Sequence, residues 1–250
     1  MNYWLGKVAV VTGASGGIGL AISKELANHG VKVIGLARRK HKLMEAAAII
    51  GEHKFFPIVC DLTEEGQIRS TLKWIEEKFN GFDILVNNAG LFSLSYVMES
   101  ETEEYRNVIN TNLIAPAILA REAMNRMKER DNMCHIINIS DIAGLYLEAM
   151  SIPMGMYGPS KYGLKALGIE LRHEVAIAKL NIKVTTISPG FVRTDMLKPL
   201  YQFMNISPER LLKDVDIAEV VIYVLGTPGS VEIADITVLP QGLGSNAVLL

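Results

Sequence analysis

Short runs rich in Val, Ile and Leu alternate with amphipathic segments along the whole chain, and nothing else in the sequence limits the fold as strongly. Strands are expected at Val8–Thr12, Val31–Ala37, Phe55–Cys60, Asp83–Asn87, His135–Ser140, Ile182–Ser188 and Ile233–Leu239. Helices are expected at Ile18–His29, Lys42–Ile50, Glu64–Phe79, Glu103–Arg130 with a kink at Pro116, Ser160–Lys179 and Ile217–Leu225. Alternation of this kind implies an α/β fold, a doubly wound parallel sheet flanked by helices on both faces. The strands are almost wholly apolar, as a sheet buried on both sides requires. The 250 residues contain no linker, compositional break or internal repeat, so 1–250 reads as a single domain.

Charge and cysteine usage exclude several function classes. A net charge of −2 gives no reason to expect nucleic acid or an anionic membrane as partner. No apolar run approaches the ~20 residues of a membrane span, and Met1–Lys7 lacks the apolar stretch of a signal peptide. Cys60 and Cys134 lie in apolar runs that read as buried strands, which suits free thiols in a reducing, cytoplasmic setting. The histidines are scattered without metal-site spacing, so no metal is expected.

The first strand runs into Thr12-Gly13-Ala14-Ser15-Gly16-Gly17-Ile18-Gly19, which opens the first helix. Free N–H groups and the helix dipole make such a turn a seat for a pyrophosphate. Glycines permit positive φ and close backbone approach. A tight connection without a ligand is the plainer alternative. The turn lacks the Gly-Lys-Ser/Thr ending of a nucleoside triphosphate loop and departs from the common dinucleotide spacing.

A second constellation lies further on. In Tyr157-Gly158-Pro159-Ser160-Lys161, a helix would bring the phenol and the ammonium one turn apart on one face. A free phenol titrates near ~10, and a neighbouring ammonium favours the phenolate. Ser140, at a strand end, and Asn112 precede this pair. Each alone reads as an ordinary polar residue.

Taken together, these residues resemble the short-chain dehydrogenase/reductase family over essentially the whole chain, which implies a Rossmann-type fold. Gly13, Ser15, Gly16, Gly17, Ile18 and Gly19 match the family's cofactor turn, Asp61 and Leu62 its adenine contact, and Asn88, Ala89 and Gly90 the element after its fourth strand. Pro189, Gly190, Val192 and Thr194 match its nicotinamide-side loop. Asn112, Ser140, Tyr157 and Lys161 match its catalytic tetrad in order. The resemblance implies hydride transfer between an alcohol or carbonyl carbon and a nicotinamide. In that scheme Tyr157 passes the proton, Lys161 lowers its pKa and holds the ribose, Ser140 polarises the substrate oxygen, and Asn112 holds a water beside Lys161. The gap of 17 positions from Ser140 to Tyr157 is longer than the family's usual one.

The second strand ends Gly35-Leu36-Ala37-Arg38-Arg39, with two guanidiniums and no carboxylate. Arginine suits a 2′-phosphate and an acidic residue would repel it, so Arg38 and Arg39 favour NADP(H) over NAD(H). A solvated basic patch is the alternative. Two substrate-loop elements are expected, near 145–156 and 193–213. The first contributes Leu145, Tyr146, Leu147, Met150, Ile152, Met154 and Met156; the second Met196, Leu197, Leu200, Tyr201, Phe203, Met204 and Ile206. Met150, Met154, Met156, Leu200 and Phe203 are expected to form a flexible apolar lid, with core packing or a subunit contact as the alternative. A small lipophilic alcohol or carbonyl substrate follows. The Gly35–Arg39 stretch and the short C-terminus also resemble the branch of farnesol dehydrogenase-like proteins and dehydrogenase/reductase member eleven, which implies an isoprenoid, retinoid or steroid. A sugar or 3-oxoacyl thioester substrate, or a non-catalytic dinucleotide-binding regulator, are the rival functions. The resemblance further implies a homodimer or homotetramer paired through the helices around Glu103–Arg130 and Ser160–Lys179.

Overall fold

Seven strands form one parallel sheet in the order β3-β2-β1-β4-β5-β6-β7 in the computed structural model, which describes residues 1–130, 132–203 and 207–241. They are β1 (Val8–Thr12), β2 (Lys32–Ala37), β3 (Phe55–Val59), β4 (Ile84–Asn87), β5 (Cys134–Ile139), β6 (Ile182–Pro189) and β7 (Asp235–Val238). The helices are α1 (Gly17–Asn28), α2 (Lys40–Ile50), α3 (Glu65–Phe79), α4 (Thr102–Ile109), α5 (Ala115–Met127), α6 (Tyr157–Ile177), α7 (Lys198–Phe203) and α8 (Asp214–Leu225).

Side chains alternate across a strand, so β1 serves two cores. Ala9 and Val11 pack with Ile22 and Leu26 of α1, Leu43 of α2 and Ile217 and Val221 of α8. Val8 and Val10 pack on the opposite face with Ile68 and Leu72 of α3, Leu119 and Ala123 of α5 and Leu171 of α6. The strand order reverses at β1, between β2 and β4, and opens a crevice at the carboxyl ends of the strands, where ligands of such sheets bind.

Two departures from the expected elements bear on the site. The long helix of 103–130 is two α-helices separated by a π-helical turn, Asn110–Ile114. The break therefore precedes Pro116, which sits in the first turn of α5, where proline is tolerated. Pro116 supplies no N–H for the carbonyl four residues earlier, that of Asn112. In addition, α6 begins at Tyr157, three residues before the expected start at Ser160. Pro159 falls in its first turn, so it does not exclude Tyr157 from the helix. The short α7 carried no sequence signal. Cys134 lies in β5, whereas Cys60 lies just beyond β3; both are buried and free.

Candidate active site

The turn between β1 and α1 is built around glycine. Gly13 and Gly17 have φ of +68° and +51°, a region that side chains disfavour. A Cβ on Gly19 would lie 2.4 Å from the Gly13 carbonyl oxygen, and one on Gly13 would lie 2.8 Å from Asn88 Nδ2. Thr12 fixes the neighbouring loop. Its hydroxyl accepts the Asn88 and Ala89 N–H groups at 2.9 and 3.0 Å, and its carbonyl accepts Asn88 Nδ2 at 2.9 Å. Tight backbone, an open face at Gly16 and the N-terminus of α1 together fit a dinucleotide pyrophosphate.

A cavity of about 530 Å³ runs from this turn to the end of β6. Gly13, Ser15, Gly16, Gly17, Ile18, Arg38, Arg39, Asp61, Leu62, Asn88, Ala89 and Gly90 line it, as do Pro189, Gly190, Val192 and Thr194. Gly19 stands behind this wall, packed on Gly13. Arg38 and Arg39 are exposed at one end, and an Arg39 N–H donates to Ser15 Oγ at 3.5 Å. Burial tends to raise the Asp61 carboxyl, but hydrogen bonds from Thr63 and the charge of Arg38 hold it below the usual carboxylate range.

Ser140, Tyr157 and Lys161 line the opposite end of the same cavity, and all three are buried. The Lys161 ammonium donates to the Ile139 carbonyl at 3.1 Å and stands 5.7 Å from the Tyr157 ring centroid. Ser140 Oγ donates to the Lys161 carbonyl at 3.2 Å. Asn112 lies one layer behind. Its amide donates to Leu91 O at 2.9 Å and to Ser160 Oγ at 3.0 Å, and its Oδ1 accepts Leu91 N–H at 2.8 Å. Both amide hydrogens are therefore engaged by protein, and the side chain clamps the start of the loop after β4.

The electrostatics of Tyr157 differ from the expectation. Lys161 was expected to lower the phenol, yet its ammonium donates to Ile139 and is itself pushed down by burial. Burial and the adjacent Asp141 carboxylate push the Tyr157 phenol well above its ordinary value. The Tyr157 hydroxyl donates to Asp141 Oδ2 at 2.8 Å. Asp141, which sequence reasoning missed, lines the cavity. Its one cue in the sequence is a carboxylate directly after the strand-end serine, which by itself reads as a turn or a cap.

The apolar residues of the two substrate loops meet beside Tyr157. Ala143, Leu147, Met150, Ile152 and Met154 pack around the Tyr157 ring with Phe92, whose ring centroid is 4.9 Å away, edge to face. Phe92 and Ile152 also join a second cluster of Phe191, Leu197, Leu200, Tyr201 and Leu211. Met154 and Leu200, expected in a lid, are buried in these clusters, at 6% and 1% exposed. Leu91, Met196 and Leu197 are among the apolar residues that line the cavity itself. The side chain of Phe203, and Met204 and Ile206, lie outside the described residues. Among the described residues there is no cluster of three or more His, Cys, Asp or Glu able to hold a metal, and no helix long and apolar enough to cross a membrane.

Residues 7–205 match the family described as short chain dehydrogenase. A farnesol dehydrogenase from Aedes aegypti is 38% identical over 247 residues, covering 97% of this chain and 99% of the relative. Dehydrogenase/reductase SDR family member 11 from Gallus gallus is 39% identical over 254 residues, covering 96% and 98%. The crystal structure of a 3-ketoacyl-(acyl-carrier-protein) reductase from Brucella melitensis complexed with NADH superposes with a TM-score of 0.85 at 26% identity, covering 95% of this chain and 98% of that one.

Proposed function

The chain belongs to the short chain dehydrogenase family, and from that premise we propose that it interconverts a lipophilic alcohol and its aldehyde or ketone with NADP(H). The observation that carries the reading is the convergence of Ser140, Tyr157 and Lys161 on the cavity that begins at the glycine turn. NADPH, when bound, supplies a hydride to the carbonyl carbon. The protein must then supply a proton to the carbonyl oxygen. Tyr157 gives its hydroxyl proton to that oxygen, so one O–H bond breaks as another forms. Ser140 turns its hydroxyl from the Lys161 carbonyl to the substrate oxygen and stabilises the developing charge. Lys161 would hold the nicotinamide ribose, and Asn112 positions the loop that carries Leu91 in the cavity wall. Alcohol oxidation runs the same steps in reverse.

Arg38 and Arg39, exposed at the adenosine end without a carboxylate at the end of β2, support NADP(H) over NAD(H). Met196, Leu197 and Leu91 in the lining support an apolar substrate. An isoprenoid alcohol is the first candidate, from the similarity to a farnesol dehydrogenase. Exposed Tyr162, Ile169 and Ile177 on α6 and Ile114 beside α5 support pairing with a second copy through these helices. The free buried thiols suit a cytoplasmic location.

The test is a panel assay of NADPH, NADH and their oxidised forms against farnesol, retinol, keto-steroids, short ketones, a sugar and a 3-oxoacyl thioester. Turnover of a long apolar substrate with a preference for NADP(H) is expected. A preference for NAD(H), or for sugars or 3-oxoacyl thioesters, would overturn the corresponding part.

A further inference from the structure

We infer that Asp141 is a positioning residue for Tyr157: its second carboxylate oxygen holds the phenol as a hydrogen-bond donor at the end of the cavity, and so sets the pH dependence of proton transfer at that site. The inference rests on the oxidoreductase reading above and adds a pH dependence to it.

The two carboxylate oxygens of Asp141 have separate partners. Oδ1 accepts the Ala143 N–H at 2.7 Å and caps the short 3-10 turn Ile142–Gly144. Oδ2 accepts the Tyr157 hydroxyl at 2.8 Å. A cap needs only one oxygen, and Ser or Asn would supply it. The second oxygen is therefore not explained by the turn. It faces the cavity beside Ser140 and meets the proton that the reaction uses.

The charged surroundings give the pair its sense. Tyr157 and Lys161 of α6 are the titratable groups that act on Asp141 among the described residues, and Asp141 is the charged group that acts on Tyr157. The Lys161 ammonium donates to Ile139 and stands 5.7 Å from the Tyr157 ring centroid, and it acts on Asp141 through its charge. A phenolate formed at Tyr157 would face a carboxylate across a hydrogen bond that had lost its proton, an arrangement of like charges that is disfavoured. A phenol in the same place donates to the carboxylate and is held. In reduction the phenol is the form needed, and an alkoxide oxygen is a stronger base than a phenolate, so it still takes the proton. In oxidation the phenolate is the form needed, and Asp141 opposes it. Burial pushes the Asp141 carboxyl up as well, so the lower end of the pH range protonates Asp141 and releases this constraint.

The decisive measurement does not depend on turnover. The phenolate absorbance of Tyr157 is isolated by subtracting the titration of Tyr157→Phe from that of the parent, in cofactor-free protein. The same subtraction is made in Asp141→Asn and Asp141→Ser backgrounds, both of which retain a capping oxygen for Ala143. In the parent, Tyr157 is expected to ionise above the ordinary phenol range near ~10. In both variants its midpoint is expected at least about one pH unit lower. Coincident midpoints would overturn the inference. In parallel, kcat/KM for alcohol oxidation with NADP⁺ is followed against pH. The acid limb should move down by about one unit in the variants, close to a tenfold gain below the midpoint. An unmoved limb would also overturn it. If the parent turns over no alcohol or carbonyl compound, the oxidoreductase reading fails on its own, and the titration still decides on Asp141.

Discussion

The glycine turn between β1 and α1 and the segment between β5 and α6 open onto one cavity, yet they are held in different ways. The first is backbone against backbone: Gly19 and Gly13 leave no room for a Cβ, and Thr12 ties the turn to Asn88 and Ala89. The second is side chain against side chain: Ala143, Met154 and the Tyr157 ring pack with Phe92, Leu147, Met150 and Ile152 through two 3-10 turns. Backbone packing tolerates few sequences and recognises a part common to every dinucleotide. Apolar side-chain packing tolerates many sequences, so it can change with the substrate while the sheet stays the same.

If the contrast is real, changes at the joint should abolish chemistry, changes at the turn should affect all substrates alike, and changes in the apolar wall should discriminate by substrate length. The largest effect is expected at the joint. Tyr157→Phe removes the proton donor and leaves the ring contact with Phe92. Turnover should fall at least about a hundredfold with every accepted substrate. Asp141 loses one hydrogen bond, so the unfolding midpoint should also drop slightly, the effect of about 1 kcal/mol. Near-normal turnover in a steady-state assay would dispose of the proposed role.

Next comes the turn. Gly19→Ala places a methyl 2.4 Å from the Gly13 oxygen and 2.5 Å from Asn88 Nδ2. Backbone must shift, at a cost of about 2 kcal/mol, and dinucleotide affinity should weaken roughly thirtyfold by equilibrium fluorescence titration, equally for NADPH and NADH. Unchanged affinity would show that the cavity binds something else. Arg38→Asp should act more selectively. If Arg38 meets a 2′-phosphate as proposed, replacing it with an anion should lower the NADPH-to-NADH affinity ratio at least about tenfold, since a hydrogen bond to a charged group contributes about 1.5 kcal/mol or more. An unaltered ratio would mean that Arg38 is only a solvated charge.

The same contrast explains what was legible in the sequence. β1 lies within its expected bounds because Val8–Val11 is continuously apolar and Gly13 follows Thr12. Fifteen of the cofactor positions form the wall with Arg38, and Gly19 supports it from behind, because strand ends and helix starts place them whatever the surrounding side chains do. The π-helical turn at Asn110–Ile114 was legible only as a kink at Pro116; its place before the proline goes with the contacts that Asn112 makes to Leu91 and Ser160. The role of Asp141 was not legible, since an acidic residue after a strand reads as a solvated turn or a cap, and only the start of α6 at Tyr157 brings the phenol onto it. The apolar run from Leu145 to Met156 left pocket and core equally open. In the structure Met154 and Leu200 are core, while Met196 and Leu197 face the cavity.

The smallest effect is therefore expected at Met196. It lines the cavity beside Leu197 and is 48% exposed, so an apolar ligand can still cover about half of it. Burying a whole methionine side chain contributes roughly 1.5–3 kcal/mol, and the uncovered half corresponds to about 1 kcal/mol. Met196→Ser should raise KM for a long isoprenoid about fivefold and leave a short ketone almost untouched, because a short substrate meets Tyr157 and Ser140 without reaching this wall. Turnover number should change little for either, since the oxygen contacts are the same. Paired KM measurements on the two lengths decide it. An equal rise for both would place Met196 against the cofactor, and the division of the cavity into a conserved-by-packing end and a length-reading end would not stand.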